Sequence, residues 1–432
     1  MKIHILGICG TFMGGLAQIL VEKGHQVSGV DQQFYPPMSD QLKGFGVDMI
    51  QGYDPINLPA ADLFVIGNAL SRGNPSVEHI LSHKLPYTSG PKMLGELIEG
   101  RQVIAVAGTH GKTSTSFMLC EIFQYQAIDI GYLVGGVSQS IQSSAQLGSA
   151  GIFVIEADEY DSAFFDKRSK FVHYHPDTLI VNNIEFDHAD IFSNLVDILK
   201  QFHHVIRTIP ADGNVLIHSE GDNMASLMDM GSWSHVHKIG IQETIAIDVK
   251  KNIFSFGEEI FDLNALPFNG IHNYHNALMA MYAASLHGVA PRDSFKALEG
   301  FTGVKRRFET IYQDQDFIVI DDFAHHPTAI SSTTATAKGL FDQKILGIIE
   351  LGSNTMSGGF HGTELYKSAE SLDKTLWLNL SGTSNDPHEL TSLDMLLEEL
   401  KNYLDEFGVI LIMSNKDSKK ISDPLIELIK AK

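Results

Sequence analysis

The chain has 432 residues, of which 44% are hydrophobic and 19% charged, and this composition excludes a disordered protein. Its formal net charge of −21 excludes non-specific binding to nucleic acid or to an anionic membrane surface. Two cysteines are too few for a disulfide framework, and no apolar run reaches the roughly 18 residues that a membrane span needs.

The first hundred residues alternate short apolar strands with helical stretches, and we expect no signal peptide. This alternation predicts a parallel sheet with helices on both faces. The predicted strands are 2–8, 25–31 and 62–68, and the predicted helices are 14–24 and 76–84. We expect a cytoplasmic protein with more than one domain, because the chain is too long for a single core.

Gly7 and Gly10 lie where the first predicted strand leads into the first predicted helix, and Asp31 ends the second strand. The spacing departs from the G-x-G-x-x-G pattern, so the sequence indicates NAD only weakly. A site for a nucleotide diphosphate at this end of the sheet is the better interpretation.

The stretch IAVAGTHGKTSTSFM (104–118) reads as a buried strand, a glycine-rich turn and the start of a helix. Backbone N–H groups at such a helix start point at phosphate. Lys112 would reach the β- and γ-phosphates, and the Thr113 hydroxyl would bind Mg²⁺. The alternative is a strand–turn–helix corner that carries a surface lysine, but a G-K-T core directly after a strand favours nucleotide binding.

Acidic side chains follow the two apolar strands that come after this loop in the chain. Glu156 ends one strand, and Glu185, Asp187, His188 and Asp190 follow the other. Carboxylates and phosphates are the ligands that Mg²⁺ prefers, and the imidazole indicates a second, specialised metal position. Because Glu156 and His188 end adjacent predicted strands, we expect them to meet at one ion. Taken alone, His188 is better explained as a surface histidine or as one satisfied within the protein.

Two further groups leave alternatives open. Asn273 and Asn276 lie three residues apart at a predicted helix start, where they either cap the helix or contact a nucleotide base. Arg306 and Arg307 either form a solvated basic pair or place a guanidinium on a transferring phosphate.

The last part of the chain, from about residue 304, again alternates strands and helices. A strand ends in DDFAHHP (321–327), whose two histidines resemble a zinc site only faintly. Residues 237–263, which come before this part of the chain, are rich in β-branched and aromatic residues and predict antiparallel strands.

Together these segments resemble the Mur ligase family along essentially the whole chain. The family's ATP loop reads G-T-x-G-K-[ST], and the match continues in order through EADE (156–159), NNIEFDH (182–188), HNYHN (272–276), KRRFE (305–309) and DDFAHHP (321–327). The resemblance implies an α/β protein of three domains: a Rossmann-like N-terminal domain, a central P-loop ATPase-like domain with extra β-strands and a Rossmann-like C-terminal domain. The expected boundaries are 1–99 for UDP-sugar binding, 100–303 for ATP binding and 304–432 for acceptor binding.

The resemblance also implies roles for single residues. The expected ATP-binding residues are Gly108, Thr109, His110, Gly111, Lys112, Thr113, Ser114, Asn273, Asn276, Arg307 and Asp322. The expected Mg²⁺ ligands are Thr113, Glu156 and His188, and the expected catalytic residues are Lys112, His188, Arg307 and His325. The expected substrate-binding residues are Gly7, Gly10, Thr11, Asp31, Ser353, Asn354 and Thr355.

The implied activity is an ATP-dependent amide ligase of peptidoglycan recycling. It would join UDP-N-acetylmuramate to the murein tripeptide L-Ala-γ-D-Glu-meso-diaminopimelate through an acyl phosphate, as a cytoplasmic monomer. Gly352 stands where the peptide-adding members tend to carry an arginine, so the sequence lacks at this position a cation that the resemblance leads us to expect. One alternative is the branch that adds L-alanine in peptidoglycan biosynthesis, and a different class is a non-catalytic UDP-sugar-binding or sensing protein.

Overall fold

The computed structural model describes residues 1–34, 38–141, 143–189, 191–218, 221–240, 245–381 and 388–431. The chain forms two compact units. The first contains Met1–Glu185, Val196–Pro267 and His275–Thr302, and the second contains Phe186–Leu195, Phe268–Tyr274 and Gly303–Lys432. Asp190 lies outside the described residues. Within the described ranges, no helix is both long enough and apolar enough to cross a membrane.

The first unit begins with a parallel sheet in the order β3-β2-β1-β4-β5. Its strands are β1 (Lys2–Leu6), β2 (Gln26–Asp31), β3 (Asp48–Gln51), β4 (Leu63–Ile66) and β5 (Tyr87–Ser89). Its helices are α1 (Thr11–Glu22), α2 (Met38–Gly44), α3 (Pro75–Ser82) and α4 (Gly90–Leu97). The winding reverses between β1 and β4, so the carboxyl ends of these two strands form the crevice where open α/β sheets bind ligands.

The same unit continues with the central region of the chain. Its strands are β6 (Gln102–Ala107), β7 (Gly131–Leu133), β8 (Ala145–Gln146), β9 (Ile152–Glu156), β10 (Asp161–Ala163), β11 (Asp166–Ser169), β12 (Thr178–Val181), β13 (Asn214–His218), β14 (His235–Ile239), β15 (Ile245–Asp248), β16 (Ile253–Phe256) and β17 (Glu259–Asp262). The helices of this region are α5 (Lys112–Tyr125), α6 (Leu195–Ile206), α7 (Asp222–Asp229), α8 (Ile271–Leu286) and α9 (Pro291–Leu298). The first residue of α6 and residues 271–274 of α8 belong to the second unit.

The main central sheet has the order β14-β13-β12-β6-β9-β7-β8, parallel except for the pair β7–β8. Strand β6 lies in its interior and is buried from Val103 to Ala107, which explains its continuous apolar sequence. β10 and β11 form an antiparallel hairpin, and β15, β16 and β17 form an antiparallel sheet. This last sheet agrees with the antiparallel strands expected within residues 237–263.

The second unit is built on a sheet in the order β18-β19-β23-β20-β21-β22. Its strands are β18 (Glu309–Gln313), β19 (Ile318–Asp322), β20 (Ile345–Glu350), β21 (Lys374–Leu378), β22 (Glu389–Leu390) and β23 (Val409–Met413). Its helices are α10 (Pro327–Leu340), α11 (Asn354–Ser357), α12 (Thr363–Lys367), α13 (Leu393–Tyr403) and α14 (Lys419–Lys430). β18 is antiparallel to β19, and the other pairs are parallel.

Strand β23 shows why the C-terminal strands are apolar throughout. Leu411 and Met413 pack into the cluster that contains residues of α10, α11 and α12, whereas Ile410 and Ile412 pack into the cluster that contains residues of α13 and α14. Both faces of the strand are therefore buried, as parallel sheets require. The predicted α/β fold class is confirmed by this architecture.

Candidate functional site

The loop between β6 and α5 has the backbone of a phosphate cradle. Gly108 and Gly111 adopt positive φ angles of 132° and 81°. A Cβ on Gly111 would lie 2.5 Å from Oδ1 of Asn276 and 2.8 Å from Nδ2 of Asn182. Glycine is therefore required at 111 both for its conformation and for the space that it leaves.

The segment that follows β12 holds this loop from outside. The His110 N–H donates to Oδ1 of Asn183 at 2.7 Å, and the Glu185 N–H donates to Oγ1 of Thr109 at 2.9 Å. Nε2 of His110 lies 3.4 Å from Oε2 of Glu185. Asn183 was not predicted as a site residue. Its position shortly after β12, the strand that pairs with β6, could have indicated a contact with the loop.

Helix α5 begins directly after the loop. Gly111 occupies the N-cap and has no side chain, and the first intrahelical bond runs from the Thr115 N–H to the Gly111 carbonyl at 3.0 Å. The first-turn N–H groups of Lys112, Thr113 and Ser114 have no acceptor within the helix, which is a general property of helix starts. Such a terminus binds anions, because its N–H groups and its dipole both favour negative charge.

The Lys112 ammonium lies over the loop rather than in solvent. Nζ donates to the Gly108 carbonyl at 2.6 Å, is 3.4 Å from the Thr109 carbonyl and is 3.1 Å from Oε2 of Glu159. Burial lowers the pKa of Lys112, but Glu159 and two further carboxylates outweigh burial and raise this pKa above its usual value. The lysine is therefore held charged, with its side chain only 14% exposed.

Thr113 and Glu156 form the best candidate metal position. Oγ1 of Thr113 donates to Oε1 of Glu156 at 3.0 Å, and Oε2 accepts from the Gly135 N–H at 2.7 Å. Neighbouring ligands of an octahedral Mg²⁺, each about 2.0–2.1 Å from the ion, lie about 2.9 Å apart. The spacing of these two oxygens therefore fits a shared Mg²⁺.

Asn273 and Asn276 do not cap α8, which begins at Ile271, so the capping alternative is wrong. Nδ2 of Asn273 donates to the Asn269 carbonyl at 2.8 Å. Asn276 is buried, and its Oδ1 accepts from Nδ2 of Asn182 at 3.4 Å, beside Gly111. Asn276 is thus packed against the back of the loop.

The expectation that Glu156 and His188 end adjacent strands is wrong. Strands β9 and β12 each pair with β6 and lie on opposite sides of it. His188 lies beyond β12 in the second unit and has a positive φ of 57°. The His188 N–H donates to Oδ1 of Asp187 at 2.7 Å. Burial raises the pKa of Asp187, but nearby histidines, with His188 the strongest, outweigh burial and lower it.

Asp322 organises the backbone of the second unit. Its carboxylate accepts from the Phe308 N–H at 2.7 Å and from the Ala324 N–H at 2.8 Å. The Arg307 guanidinium lies 4.9 Å from the centre of the Phe323 ring, and Nδ1 of His325 is 2.8 Å from the Phe323 carbonyl. These three site candidates therefore surround one short segment at the carboxyl end of β19.

Arg306 differs from its neighbour Arg307. Its Nε is 3.1 Å from Oδ2 of Asp321, and its NH2 group donates to the Ser414 carbonyl at 2.6 Å. The interpretation of a solvated basic pair is therefore wrong for Arg306, which is tied to the end of the sheet.

The predicted acceptor residues follow β20. Thr355 is buried, and its Oγ1 accepts from the Ala189 N–H at 3.3 Å and lies 3.4 Å from Oδ1 of Asp187. Oγ of Ser353 accepts from the Met356 N–H at 3.1 Å, and Asn354 begins helix α11. Thr355 thus holds the segment that carries His188, within the second unit.

The predicted UDP-sugar residues lie at the carboxyl ends of β1 and β2. The Asp31 carboxylate accepts from the Cys9 N–H at 2.9 Å, from the Gln32 N–H at 2.8 Å and from the Tyr53 hydroxyl at 3.2 Å. Gly7 has a positive φ of 78°, Gly10 is the N-cap of α1, and Thr11 is the first residue of that helix. Asp31 therefore shapes the turn that leads into the helix start.

Family comparisons bear on the whole chain. Residues 2–102 match the model of the Mur ligase family catalytic domain, residues 106–284 match the Mur ligase middle domain, and residues 306–392 match the Mur ligase glutamate ligase domain. A protein of Haemophilus influenzae named UDP-N-acetylmuramate–L-alanyl-γ-D-glutamyl-meso-2,6-diaminoheptandioate ligase is 42% identical over 100% of this chain and 99% of its own length. The chain belongs to the Mur ligase family.

Two further family members help to place it. The crystal structure of a murein peptide ligase from Psychrobacter arcticus is 40% identical, covers 99% of this chain and 98% of its own, and has a TM-score of 0.77. A UDP-N-acetylmuramate–L-alanine ligase of Persephonella marina is 30% identical over 100% of this chain and 97% of its own length. The predicted family and the predicted three-domain fold are both confirmed.

Proposed function

We propose that this Mur ligase family member is an ATP-dependent ligase that joins UDP-N-acetylmuramate to L-Ala-γ-D-Glu-meso-diaminopimelate, with ADP and phosphate as products. The observation that carries the proposal is the 42% identity over the complete chain with a relative that bears the name of this reaction. Such a tripeptide is a product of cell-wall breakdown, so the role would be peptidoglycan recycling.

The reaction needs activation because a carboxylate is a poor acylating agent. Transfer of the γ-phosphoryl group from ATP to the muramoyl carboxylate gives an acyl phosphate, the tripeptide amine attacks its carbonyl carbon, and phosphate leaves as the amide bond forms. Lys112 and the N-terminus of α5 stabilise charge on the transferring phosphoryl group. His110, Thr109 and Ser114 line the same loop and helix start, where they contact the nucleotide.

Mg²⁺ would neutralise phosphate charge when bound. Thr113 and Glu156 would hold one such ion, since the 3.0 Å between their oxygens suits two neighbouring ligands. His188 is the further proposed metal ligand. As the family resemblance implies, Arg307 and Asp322 are proposed to bind ATP, and Arg307 and His325 are proposed to be catalytic. Asn273 and Asn276 are proposed to contact the nucleotide. The UDP part of the substrate is proposed to bind near Gly7, Gly10, Thr11 and Asp31.

We propose that Lys416 supplies a cation for the acceptor carboxylates. The peptide-adding family members tend to carry an arginine at the position of Gly352, and Lys416 would take over its role. A Cβ on Gly352 would lie 2.3 Å from Oδ1 of Asn415 and 2.8 Å from Cγ of Lys416. The Lys416 stem therefore occupies the space into which a side chain at 352 would grow. Ser353, Asn354 and Thr355 follow directly and are the proposed polar contacts to the peptide.

The two alternatives are less well supported. The L-alanine-adding relative is 30% identical, whereas the tripeptide-adding relative is 42% identical over the same share of the chain. A non-catalytic binding protein would have no need for a buried lysine and a threonine–carboxylate pair on the phosphate loop. We also propose that the protein is a monomer and acts in the cytoplasm, where ATP and UDP-sugars are made.

The test is an omission series on the purified protein. Phosphate release and the mass of the ligated UDP-N-acetylmuramoyl tripeptide are measured with ATP, Mg²⁺, UDP-N-acetylmuramate and tripeptide, and then with each one left out. Product formation only in the complete mixture supports the proposal. Binding of the UDP-sugar without any product would instead support the non-catalytic alternative.

A further inference from the structure

Lys112 must release a protein partner before it can bind a phosphate. An ammonium has three N–H donors, and the described partners of Nζ are the Gly108 carbonyl, the Thr109 carbonyl and the Glu159 carboxylate. Of these three acceptors, the carboxylate alone is charged and is repelled by a triphosphate. The contact with Glu159 is therefore the one that nucleotide binding would most readily break.

Glu159 is fixed in place by its own main chain. The side chain is 3% exposed, and its backbone carbonyl accepts from Oγ of Ser169, the last residue of β11, at 2.6 Å. The Lys170 N–H donates to the next carbonyl, that of Tyr160, at 2.9 Å. The hairpin thus keeps this carboxylate beside the phosphate loop, and Glu159 has no part in the mechanism proposed above.

We propose that Glu159 makes nucleotide binding to this loop depend on the metal ion. Its carboxylate holds Lys112 across the loop, and it repels a triphosphate whose charge no metal has reduced. With Mg²⁺ bound, the nucleotide carries less negative charge and takes Lys112 from Glu159 at a smaller electrostatic cost. The inference rests on the proposed function, in which this loop binds ATP.

The experiment compares nucleotide affinity with and without metal. Calorimetry gives the Kd of a non-hydrolysable ATP analogue in excess Mg²⁺ and in EDTA, for the wild-type protein and for Glu159→Gln. Glu159→Gln is expected to bind the analogue in EDTA at least about tenfold more tightly than the wild type does. In Mg²⁺, the two Kd values are expected to agree within about threefold, so the variant loses most of its metal dependence.

Two further variants make the test specific. Asp161→Asn removes the same charge, but from a carboxylate paired with the exposed Lys167, and is expected to keep the wild-type Kd values. Glu159→Asp keeps the charge and is expected to keep the metal dependence, which makes it informative even if the glutamine variant folds poorly. Melting temperatures report on the fold of each variant.

Three results would overturn the inference: an unchanged Kd of Glu159→Gln in EDTA, an equal weakening of both its Kd values, or lost metal dependence in Glu159→Asp. The second result would mean that the carboxylate only positions Lys112. A wild-type protein that binds no analogue even with Mg²⁺ would overturn the proposed function itself.

Discussion

Replacing Lys112 with alanine is expected to destabilise the first unit as well as to stop catalysis. The change removes the cation of a buried ion pair, whose Nζ and Oε2 atoms are 3.1 Å apart. Lys112 and Glu159 have side chains only 14% and 3% exposed. The alanine variant therefore leaves a carboxylate buried without its cation, which is among the most costly defects in a protein interior.

The distance sets the size of the effect. At an effective dielectric constant of about 20, two unit charges at this separation attract by about 5 kcal/mol. Breaking a buried pair by removing one partner costs about 3–5 kcal/mol in general, and we expect a loss of that size in the free energy of unfolding. The double variant Lys112→Ala/Glu159→Gln buries no charge and is expected to recover most of the loss.

Urea unfolding of the wild type, both single variants and the double variant measures the coupling between the two residues. Lys167→Ala is the matched control, because Lys167 is 71% exposed although its Nζ lies 2.7 Å from Oδ2 of Asp161. We expect a loss of under about 1 kcal/mol there. Additive effects of the two changes, or a loss no larger than in the control, would refute this reasoning.

Three other predictions concern the loop, the metal and pH. Gly111→Ala is expected to weaken binding of the ATP analogue by at least about tenfold, since its Cβ would lie 2.5 Å from Oδ1 of Asn276; calorimetry that shows wild-type affinity would contradict this. Glu156→Gln is expected to raise the Mg²⁺ concentration needed for half-maximal phosphate release by at least about tenfold, and an unchanged Mg²⁺ titration would remove Glu156 from the metal site. Burial lowers the pKa of His4 to about 4, so the unfolded state takes up a proton between pH 6.5 and 4 that the folded state does not. The unfolding free energy of the wild type should fall from pH 7 to pH 5 by about 2 kcal/mol more than that of His4→Gln, and parallel pH curves would argue against a buried neutral His4.

The local sequence was sufficient to predict the strands and turns that hydrophobic periodicity and turn residues specify. The strands β1, β6 and β23 are apolar runs buried on both faces, and the glycines of the loop at 108 and 111 mark a turn that other residues cannot make. Strand β18 and the hairpin of β10 and β11 were missed. Their sequences, ETIYQ, DSA and DKRS, are short and carry no apolar run, so no hydrophobic pattern marks them as strands.

The candidate site could be predicted only as far as its residue types reveal it. Hydrogen bonds that join residues far apart in sequence leave no local pattern, as between His110 and Asn183, which are 73 positions apart. Asp31 and Asp322 appear in the sequence as ligand-binding carboxylates, yet backbone N–H groups occupy both in the structure. The sheet order likewise separates β9 from β12, which the order along the chain could not show.

The choice of acceptor tests the central claim most directly. Tripeptide and L-alanine are offered together at equal concentration with ATP, Mg²⁺ and UDP-N-acetylmuramate, and mass spectrometry gives the ratio of the two ligated products, which equals the ratio of their kcat/KM values. The account predicts that UDP-N-acetylmuramoyl tripeptide dominates, and that Lys416→Ala lowers its share. A product mixture dominated by UDP-N-acetylmuramoyl-L-alanine would contradict the account and assign the protein to the L-alanine-adding branch.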